Sequence, residues 1–312
     1  MTAPASTASE RLLVVTLSNI GDLVLTTPVF EALATACPGR LIDVIGDARS
    51  SALLRAAPYV GEIFNYDKRA SLPERLVFLR RCRTRRYELV VDLRTVHLGW
   101  LLRARRRLRK REGRVPGRHA VLEHFTALRP MLGAAAVPPP CRIHLDHATQ
   151  QRAMELLSDL PGTRWLAVAP GANYAGKKWP REAFADLLRR AAGDVDAVVL
   201  LGSAEDEVDA EHLAAAGPHA RNLAGRTSLL EAAALLARCR AFLGNDSGLG
   251  HMAAAVGVPT LTVFGPGDPP RYRPWGQTAR IVCAADGRLE RLRAEQVWPD
   301  LRAMLAAPGS TG

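Results

Sequence analysis

Two adjacent lysines, Lys177 and Lys178, lie in a glycine-containing loop that follows the short apolar run Leu166–Ala169. Ammonium groups in such a loop are suited to binding phosphate as point charges. The loop nearly matches the phosphate-binding pattern GxxxxGK[ST], but Lys178 replaces the Ser/Thr that would bind magnesium, and Pro180 interrupts the helix that should follow. The pattern therefore argues against a nucleoside triphosphatase. It leaves two interpretations: a phosphate site, or two solvated lysines before a helix that Pro180 begins.

A second loop connects an apolar run to an alanine-rich helix and reads Asn-Asp-Ser-Gly-Leu-Gly-His over residues 245–251. Exposed N–H groups at the start of a helix bind anions, and small residues let a diphosphate come close to the backbone. The residues that we expect at this anion site are Asp246, Ser247, Gly248, Leu249 and Gly250. Considered alone, His251 is more typical of a structural histidine than of an acid or base.

A third loop, Ser18–Asp22, follows the apolar run Leu12–Leu17 and ends in an aspartate. A carboxylate in this place can act as the general base for an incoming hydroxyl group. It can equally cap the helix that begins there or complement the helix dipole. The dinucleotide fingerprint GxGxxG is absent, which argues against a nicotinamide-dependent enzyme.

Two further carboxylates, Glu205 and Asp206, follow the apolar run Ala197–Leu201 and precede a helical pattern. Such carboxylates can bind the hydroxyl groups of a ribose, or they can merely favour the N-terminus of the helix. The two interpretations are equally consistent with the sequence.

Short runs rich in Val, Ile and Leu alternate with helical patterns along the chain. This alternation is typical of βαβ units with parallel sheets, and nearly continuous apolar runs fit sheets that are covered on both faces. Ligands of such sheets bind beyond the carboxyl ends of the strands, which is where the loops above are expected.

Segment 133–140 contains three consecutive prolines and can neither continue a helix nor join a central strand. We interpret it as a linker and predict an α/β protein with two Rossmann-like domains facing a central cleft. The N-terminal, acceptor-side domain would span residues 1–140 and the C-terminal, nucleotide-sugar-binding domain residues 141–312. A last helix near Leu289–Leu305 is expected to close the chain, with the option of packing back on the N-terminal domain.

Basic residues are concentrated in one segment of this chain of 312 residues, whose net charge is +11. Between Arg103 and Arg118 there are nine basic residues and one acid. Such a cluster favours an anionic partner: phosphate, nucleic acid or an anionic membrane surface. The alternative is a solvated basic helix face, because the pattern over Leu98–Arg109 predicts a helix. The arginines that we single out are Arg105, Arg106, Arg107 and Arg109.

The composition, with 48% hydrophobic and 23% charged residues, is ordinary for a folded protein and argues against a disordered chain. Five cysteines without a CxxC pair indicate thiols in a reducing compartment, not a disulfide or zinc framework. The apolar run Leu12–Leu17 is too short for a signal peptide, and no stretch of about 18 apolar residues is present. We therefore expect a cytoplasmic protein.

Three segments together resemble glycosyltransferase family 9, the ADP-heptose:lipopolysaccharide heptosyltransferases. They are Ser18–Pro28 (family pattern GDxxxTTP), Lys177–Pro180 (KxWP) and Asn245–Ala254 (NDSGxxHxAAA). They occur in the order and spacing of the family, and the resemblance covers nearly the whole chain. It implies a GT-B fold and an inverting transfer of a heptose from ADP-heptose, usually to an inner-core sugar of lipopolysaccharide.

The resemblance also implies roles for individual residues. Asp22 would take the acceptor proton, and Lys177 would hold the diphosphate leaving group. Asp246 would contact the donor sugar, and the ribose carboxylate maps to Asp206, with Glu205 as the alternative. The donor-binding residues implied in this way are Asn173, Lys178, Asp206, Asp246, Ser247, Gly248, Leu249, Gly250 and His251. Some relatives have threonines beside the phosphates where this chain has Ala172 and Asn173. No metal cluster is visible in the sequence, so neither a metal ion nor a cofactor is expected.

Three hypotheses about partners follow. The favoured one is a monomeric enzyme that acts on an anionic, lipid-linked glycan at the inner face of the cytoplasmic membrane, with the basic segment near the acceptor or the membrane. The second keeps the enzyme and the donor but replaces the acceptor with a soluble small molecule or a capsule sugar. The third is a nucleic-acid-binding module. It is disfavoured because only 5% of the residues are aromatic and no nucleic-acid-binding motif is present.

Overall fold

The computed structural model describes residues 11–95, 97–110 and 115–307. The chain divides into two compact units, 1–144 and 145–312. Segment 141–144 therefore belongs to the first unit, whereas the sequence assigned it to the second. The reason is local: Cys141 is buried, the backbone N–H of Arg142 donates to Thr27 Oγ1 at 3.1 Å, and His144 Nε2 lies 2.8 Å from Glu31 Oε1.

The described part of the first unit contains a parallel five-stranded sheet with the strand order β3-β2-β1-β4-β5. Its strands are β1 (Leu12–Val15), β2 (Ile42–Gly46), β3 (Val60–Asn65), β4 (Tyr87–Asp92) and β5 (Ala104–Arg109). Its helices are α1 (Ile20–Val24), α2 (Thr27–Ala36), α3 (Leu72–Cys82), α4 (Leu98–Leu101), α5 (Ala120–Phe125) and α6 (Arg129–Leu132). Central strands β1 and β2 are buried along their whole length, as expected for a sheet covered on both faces.

The second unit contains a parallel six-stranded sheet with the order β11-β10-β9-β6-β7-β8. Its strands are β6 (Trp165–Ala169), β7 (Ala197–Leu200), β8 (Arg221–Asn222), β9 (Ala241–Asn245), β10 (Thr260–Phe264) and β11 (Ala279–Cys283). Its helices are α7 (His147–Leu157), α8 (Arg181–Ala191), α9 (Glu207–Ala214), α10 (Leu229–Arg238), α11 (Gly248–Ala255), α12 (Pro269–Tyr272) and α13 (Ala294–Ala306). Helix α13 packs on α8, and its apolar residues Val297, Leu301 and Leu305 join the core of this unit.

The prediction of one helix over Leu98–Arg109 is wrong. Helix α4 ends at Leu101, Leu102 has extended backbone angles, and the basic segment continues as strand β5 at the edge of the sheet. Arginine is a good helix former, so pairing with β4 has overridden the local preference here. Charged side chains on an edge strand also discourage pairing with a second chain.

Two helices, α1 and α2, follow β1 where the apolar pattern over Leu23–Ala36 would predict one. Pro28 has no N–H group to donate to the carbonyl of Val24, and the hydroxyl of Thr27 donates to that carbonyl instead, at 2.7 Å. The hydroxyl of Thr26 donates to the carbonyl of Leu23 at 2.6 Å. The pattern Thr-Thr-Pro therefore ends α1 shortly after Asp22 and fixes the loop that carries this residue.

Candidate functional site

Lys177 lies on a loop that begins where β6 ends, at the carboxyl edge of the second sheet. The loop contains a single 3₁₀ turn, Ala175–Lys177, and the ammonium group of Lys177 forms an ion pair with Asp246. The ring of Tyr174 lies beside this ammonium group, with 5.7 Å between Nζ and the ring centroid. Lys177 is thus held above the sheet edge while its side chain stays partly open to solvent.

Lys178 points to different partners, although it is adjacent in sequence. Its Nζ lies 3.0 Å from Asp206 Oδ1 and 3.6 Å from Asp209 Oδ2. Partial burial alone would lower the pKa of Lys178, but the hydrogen bond and the charge of Asp206, aided by Asp209, outweigh burial and raise this pKa. Lys178 is therefore a permanent cation that braces the loop against α9.

The tryptophan of the Lys-x-Trp-Pro pattern anchors the loop. The ring of Trp179 is 2% exposed, packs edge-on against Phe184 with 4.8 Å between centroids, and donates from Nε1 to the carbonyl of Leu292 at 2.8 Å. Its backbone N–H donates to Asn245 Oδ1 at 3.0 Å. This anchor explains why the lysine and the tryptophan of the pattern are two residues apart: with Trp179 buried, the side chain of Lys177 can face a ligand.

Asn245 joins the two loops of this edge. The residue is fully buried at the end of β9, and its Nδ2 donates to the carbonyl of Pro170 at 2.6 Å while its Oδ1 accepts from Trp179. Asn245 was not among the site residues predicted from the sequence. The sequence does contain a signal for its role, namely a polar residue at the end of an otherwise apolar strand.

Helix α11 begins directly after β9, at Gly248, with Ser247 as its N-cap residue. The backbone of Ser247 is extended, but its hydroxyl does not cap the helix; Oγ is buried and has no hydrogen-bond partner among the described residues. The first N–H groups of any helix have no partner within the helix. These N–H groups, Ser247 Oγ and the ammonium group of Lys177 together suit a diphosphate. Asp246 precedes Ser247 in the chain and pairs with Lys177.

The remaining residues of this helix N-terminus differ in exposure. Gly248 and Leu249 are half-buried, whereas Gly250 and His251 are buried. A Cβ atom on Gly250 would lie 3.2 Å from Thr262 Oγ1, so a larger residue would press on the neighbouring strand β10. Glycine at this position therefore lets α11 pack close to the sheet.

Asp206 and Glu205 have contrasting surroundings. Asp206 is buried, and its Oδ2 accepts hydrogen bonds from the backbone N–H and the hydroxyl of Ser203 at 3.0 and 2.8 Å, while Oδ1 receives Lys178. A Cβ atom on Gly171 would lie only 2.2 Å from Asp206 Oδ2. Glu205 is exposed and makes no side-chain hydrogen bond or ion pair with the described residues. The geometry therefore makes Glu205 the carboxylate that is available to a ligand, and Asp206 a brace within the protein.

Asp22 lies in the first turn of α1, beyond the carboxyl end of β1. It is half-buried, and its Oδ2 accepts a hydrogen bond from the side chain of Asn19 at 2.9 Å. The N-cap residue of α1 is Asn19, and no side chain caps this helix. Ser18 Oγ, on the same loop, is buried without a hydrogen-bond partner in the described part of the chain. Asp22 therefore does not have the capping role that the sequence left open.

The four selected arginines are spread along β5 and differ in their surroundings. Arg106 lies opposite Leu89 and donates to the carbonyl of Pro130 at 2.9 Å. Arg107 donates to the carbonyls of Gly99, Leu102 and Ala104. Exposed Arg105 and Arg106 both line a groove near the amino ends of the strands, together with Arg40 and Glu88. Of the four, only Arg109 is both exposed and at the carboxyl edge, opposite Asp92.

Within the described ranges there is no group of three or more His, Cys, Asp or Glu side chains placed to hold a metal ion. The same residues include no helix that is long and apolar enough to cross a membrane.

The protein has two units with parallel Rossmann-like sheets. At the carboxyl edge of the second sheet lie a lysine and the N-terminus of a helix that suits an anion. This combination is typical of the GT-B class of glycosyltransferases. The chain belongs to glycosyltransferase family 9 (heptosyltransferase), whose family model matches residues 78–300. The resemblance noted from the sequence is thereby confirmed, and the protein is a glycosyltransferase.

Comparisons with individual proteins agree with this assignment. The chain is 29% identical over 305 residues to lipopolysaccharide heptosyltransferase 2 of Salmonella typhimurium, covering 87% of each chain. It is 30% identical to lipopolysaccharide heptosyltransferase 1 of Pseudomonas aeruginosa, covering 83% of this chain and 79% of that protein. Among solved structures, the ADP-heptose lps heptosyltransferase II of E. coli superposes with a TM-score of 0.79 at 25% identity, covering 95% of this chain and 98% of the other.

Proposed function

We propose that the protein transfers a heptose from ADP-heptose to a hydroxyl group of an inner-core lipopolysaccharide sugar. The observation that carries the proposal is the arrangement at the edge of the second sheet: Lys177, Asp246 and the unpaired hydroxyl of Ser247 at the start of α11. The named activities of the relatives supply the identity of the donor and of the acceptor class.

The donor half of the proposed site stabilises the leaving group. As the bond between the anomeric carbon and the ADP oxygen breaks, negative charge grows on the diphosphate. The ammonium of Lys177 and the N–H groups of the first turn of α11 are preorganised to receive that charge. Asp246, which forms an ion pair with Lys177, would contact the donor sugar, as the family resemblance implies.

The acceptor half activates the nucleophile. The hydroxyl of the acceptor sugar attacks the anomeric carbon, a new C–O bond forms, and the proton passes to the carboxylate of Asp22. An inverting displacement requires this base to act on the face of the sugar opposite the diphosphate. Since Lys177 and α11 balance the charge of the leaving group, we propose that no divalent ion is required. EDTA should therefore leave the initial rate unchanged, and a rate restored only by added Mg²⁺ would contradict this part of the proposal.

The test of Asp22 is the substitution Asp22→Asn, which keeps the size and the bond to Asn19 but loses basicity. We expect kcat to fall by at least about 10²-fold, the low end for positioned proton transfer, with ADP affinity unchanged. Asp47→Asn is the matched control, because Asp47 is also half-buried and follows β2 at the same edge of the same sheet. Normal turnover in a folded Asp22→Asn variant would exclude the role.

The test of the substrates is a panel of donors and acceptors. Binding should be tight for ADP-heptose and weak for UDP-glucose and GDP-mannose; binding of UDP sugars alone would refute the heptosyltransferase proposal. Heptose-deficient lipopolysaccharide and its deacylated, soluble form should be compared as acceptors. If the protein transfers heptose to an unrelated soluble glycoside and accepts neither form of lipopolysaccharide, the alternative hypothesis of a soluble acceptor is correct.

A further inference from the structure

The outer surface of α3 and α4 is apolar where a protein surface is normally polar. Three exposed residues lie on α3 (Leu72, Leu76 and Val77, with 75, 57 and 63% of their surface accessible) and two on α4 (Trp100 and Leu101, 65 and 49%). These five residues, here called the α3–α4 face, make up nearly half of the large apolar side chains exposed within the described ranges. A concentration of large apolar side chains at the surface marks a binding surface.

Both helices lie on the same side of the first sheet. Phe78 and Leu79 of α3 and Leu98 of α4 pack on one core cluster, which includes Leu13, Val15 and Phe64. The guanidinium of Arg83, the residue that ends α3, donates to the carbonyl of Leu101 at 3.1 Å. The two helices therefore lie side by side on this side of the sheet, with their exposed apolar residues turned away from the core.

Helix α3 is weakly anchored for a helix of a folded domain. Of its residues only Cys82 is buried, and Phe78 and Leu79 are half-buried. Leu72, Leu76, Arg80 and Arg83 follow one another at intervals of four, four and three residues, so they form one outward stripe, apolar at its start and basic at its end. A helix with a basic part and an exposed apolar part is typical of helices that lie on a membrane surface.

The segment that carries α3 is rich in basic residues, of which Arg81 and Arg85 are paired with Glu62. Segment 68–86 contains eight basic residues and one acid, Glu74. The guanidinium of Arg107 lies over the ring of Trp100, with 5.6 Å to its centroid. Arg80 is exposed and makes no side-chain hydrogen bond or ion pair with the described residues. The partner that fits must therefore be both apolar and anionic.

We propose that the α3–α4 face docks on an anionic phospholipid bilayer, with Leu72, Leu76, Val77, Trp100 and Leu101 inserted among the headgroups and the arginines on lipid phosphates. Tryptophan rings such as that of Trp100, which lies beside Arg107, are enriched at the depth of the lipid headgroups. Attraction of basic residues to anionic lipid adds to the insertion of apolar residues.

The position of the face links it to the enzyme's chemistry. In a parallel sheet, a helix that follows a strand begins at the carboxyl edge, so Leu72 and Leu76 lie towards the edge that carries Asp22. A bilayer bound here brings lipid-linked hydroxyl groups to the edge with the proposed base. This consequence depends on the proposed function, whereas the docking itself does not.

The first measurement is co-sedimentation with vesicles of phosphatidylglycerol and phosphatidylcholine, compared with phosphatidylcholine alone, at low and high salt. The wild type should bind the anionic vesicles, and salt should weaken the binding. The triple variant Leu72→Ser, Leu76→Ser and Val77→Ser should bind at least about tenfold more weakly, since it removes most of the inserted apolar surface. Val137→Ser with Val208→Ser is the matched control, because both valines are comparably exposed, at 81 and 72%, but lie elsewhere.

The contribution of charge is tested with Arg80→Glu, which should weaken binding to anionic vesicles by about fivefold or more. Arg189→Glu, at another exposed position on α8, should have little effect. Trp100 provides an independent signal: it is the one exposed tryptophan of five, all of which lie in the described ranges. Anionic vesicles should shift its fluorescence to shorter wavelength, and Trp100→Phe should abolish the shift.

Three results would overturn the proposal: equal or absent binding to both kinds of vesicle, wild-type binding by the triple variant, or a concentration-dependent dimer that the triple variant abolishes. The last result would show that a second copy of the chain covers the face. Failure of the proposed function can be distinguished from failure of the docking proposal, because vesicle binding needs no sugar substrate. If both proposals hold, the triple variant loses activity on vesicle-embedded acceptor and keeps its activity on the deacylated acceptor.

Discussion

The ion pair between Lys177 and Asp246 leads to opposite predictions for its two members. An incoming diphosphate must share Lys177 with the carboxylate, and the carboxylate also repels the phosphate charge. Replacing Lys177 with Ala should therefore weaken ADP binding, whereas Asp246→Asn should strengthen it. The second change keeps the size of the side chain and removes only the charge.

The magnitudes follow from the geometry. Lys177 and Asp246 are partly exposed, with 21 and 11% of their side-chain surface accessible. A carboxylate about 5–6 Å from a phosphate charge interacts at about 3 kcal/mol for an effective dielectric constant of about 20. Screening by water and salt reduces this to about 1 kcal/mol, so Asp246→Asn should bind ADP about fivefold more tightly. Loss of the charged hydrogen bond from Lys177 should cost about 1.5–3 kcal/mol, or roughly ten- to a hundredfold in affinity.

Isothermal titration calorimetry with ADP, and then with ADP-heptose, tests both changes. Asp246→Asn should prefer ADP over ADP-heptose relative to the wild type and should transfer heptose slowly, because the proposed contact with the donor sugar is lost. Lys178→Ala is the control, since Lys178 is bound to Asp206 and Asp209 and should affect ADP affinity less. Weaker ADP binding by Asp246→Asn, or a larger loss for Lys178→Ala than for Lys177→Ala, would refute this reasoning.

Three further predictions concern the supporting residues. Asn245→Ala leaves a buried carbonyl and a buried N–H unpaired and should lower the free energy of unfolding in urea by about 2–5 kcal/mol; a loss below about 0.5 kcal/mol would contradict the bridging role. Glu205→Gln should weaken ADP binding by about 1 kcal/mol and leave pyrophosphate binding unchanged. Asp206→Asn should mainly lower the melting temperature. If instead Asp206→Asn weakens ADP binding and Glu205→Gln does not, Asp206 is the ribose ligand. Arg109→Ser should raise KM for the anionic acceptor and flatten its salt dependence, whereas Arg107→Ser should only reduce stability; equal kinetic effects would show that both contact the acceptor.

The fold class and the family could be predicted from the sequence because their signals are local. Apolar runs alternating with helical patterns indicated parallel sheets, and the strings around Trp179 and Asp246 combine residues that the backbone needs with residues that face a ligand. The burial of Trp179 and the unpaired hydroxyl of Ser247 explain in physical terms why those strings have their spacing.

Features that depend on contacts distant in sequence could not be predicted in this way. Segment 104–109 forms a strand because β4 pairs with it, although its arginines favour a helix. The resemblance favoured Asp206 over Glu205 as the ribose carboxylate, and only the positions of Ser203 and Lys178 show that Asp206 is bound within the protein. The α3–α4 face was also missed, because a helical pattern with leucines predicts a buried face until the structure shows which side is covered.

The bond from the indole of Trp179 to the carbonyl of Leu292 has a consequence for the time at which this protein becomes able to bind its donor. The two residues are 113 positions apart. At about 5–20 residues per second, a ribosome adds the second residue about 6–23 s after the first. During that interval the loop with Lys177 lacks one of its anchors, and helix α13, which completes the core beneath it, is not yet synthesised. Nucleotide binding should therefore be among the last properties that a nascent chain acquires, well after its first unit can fold.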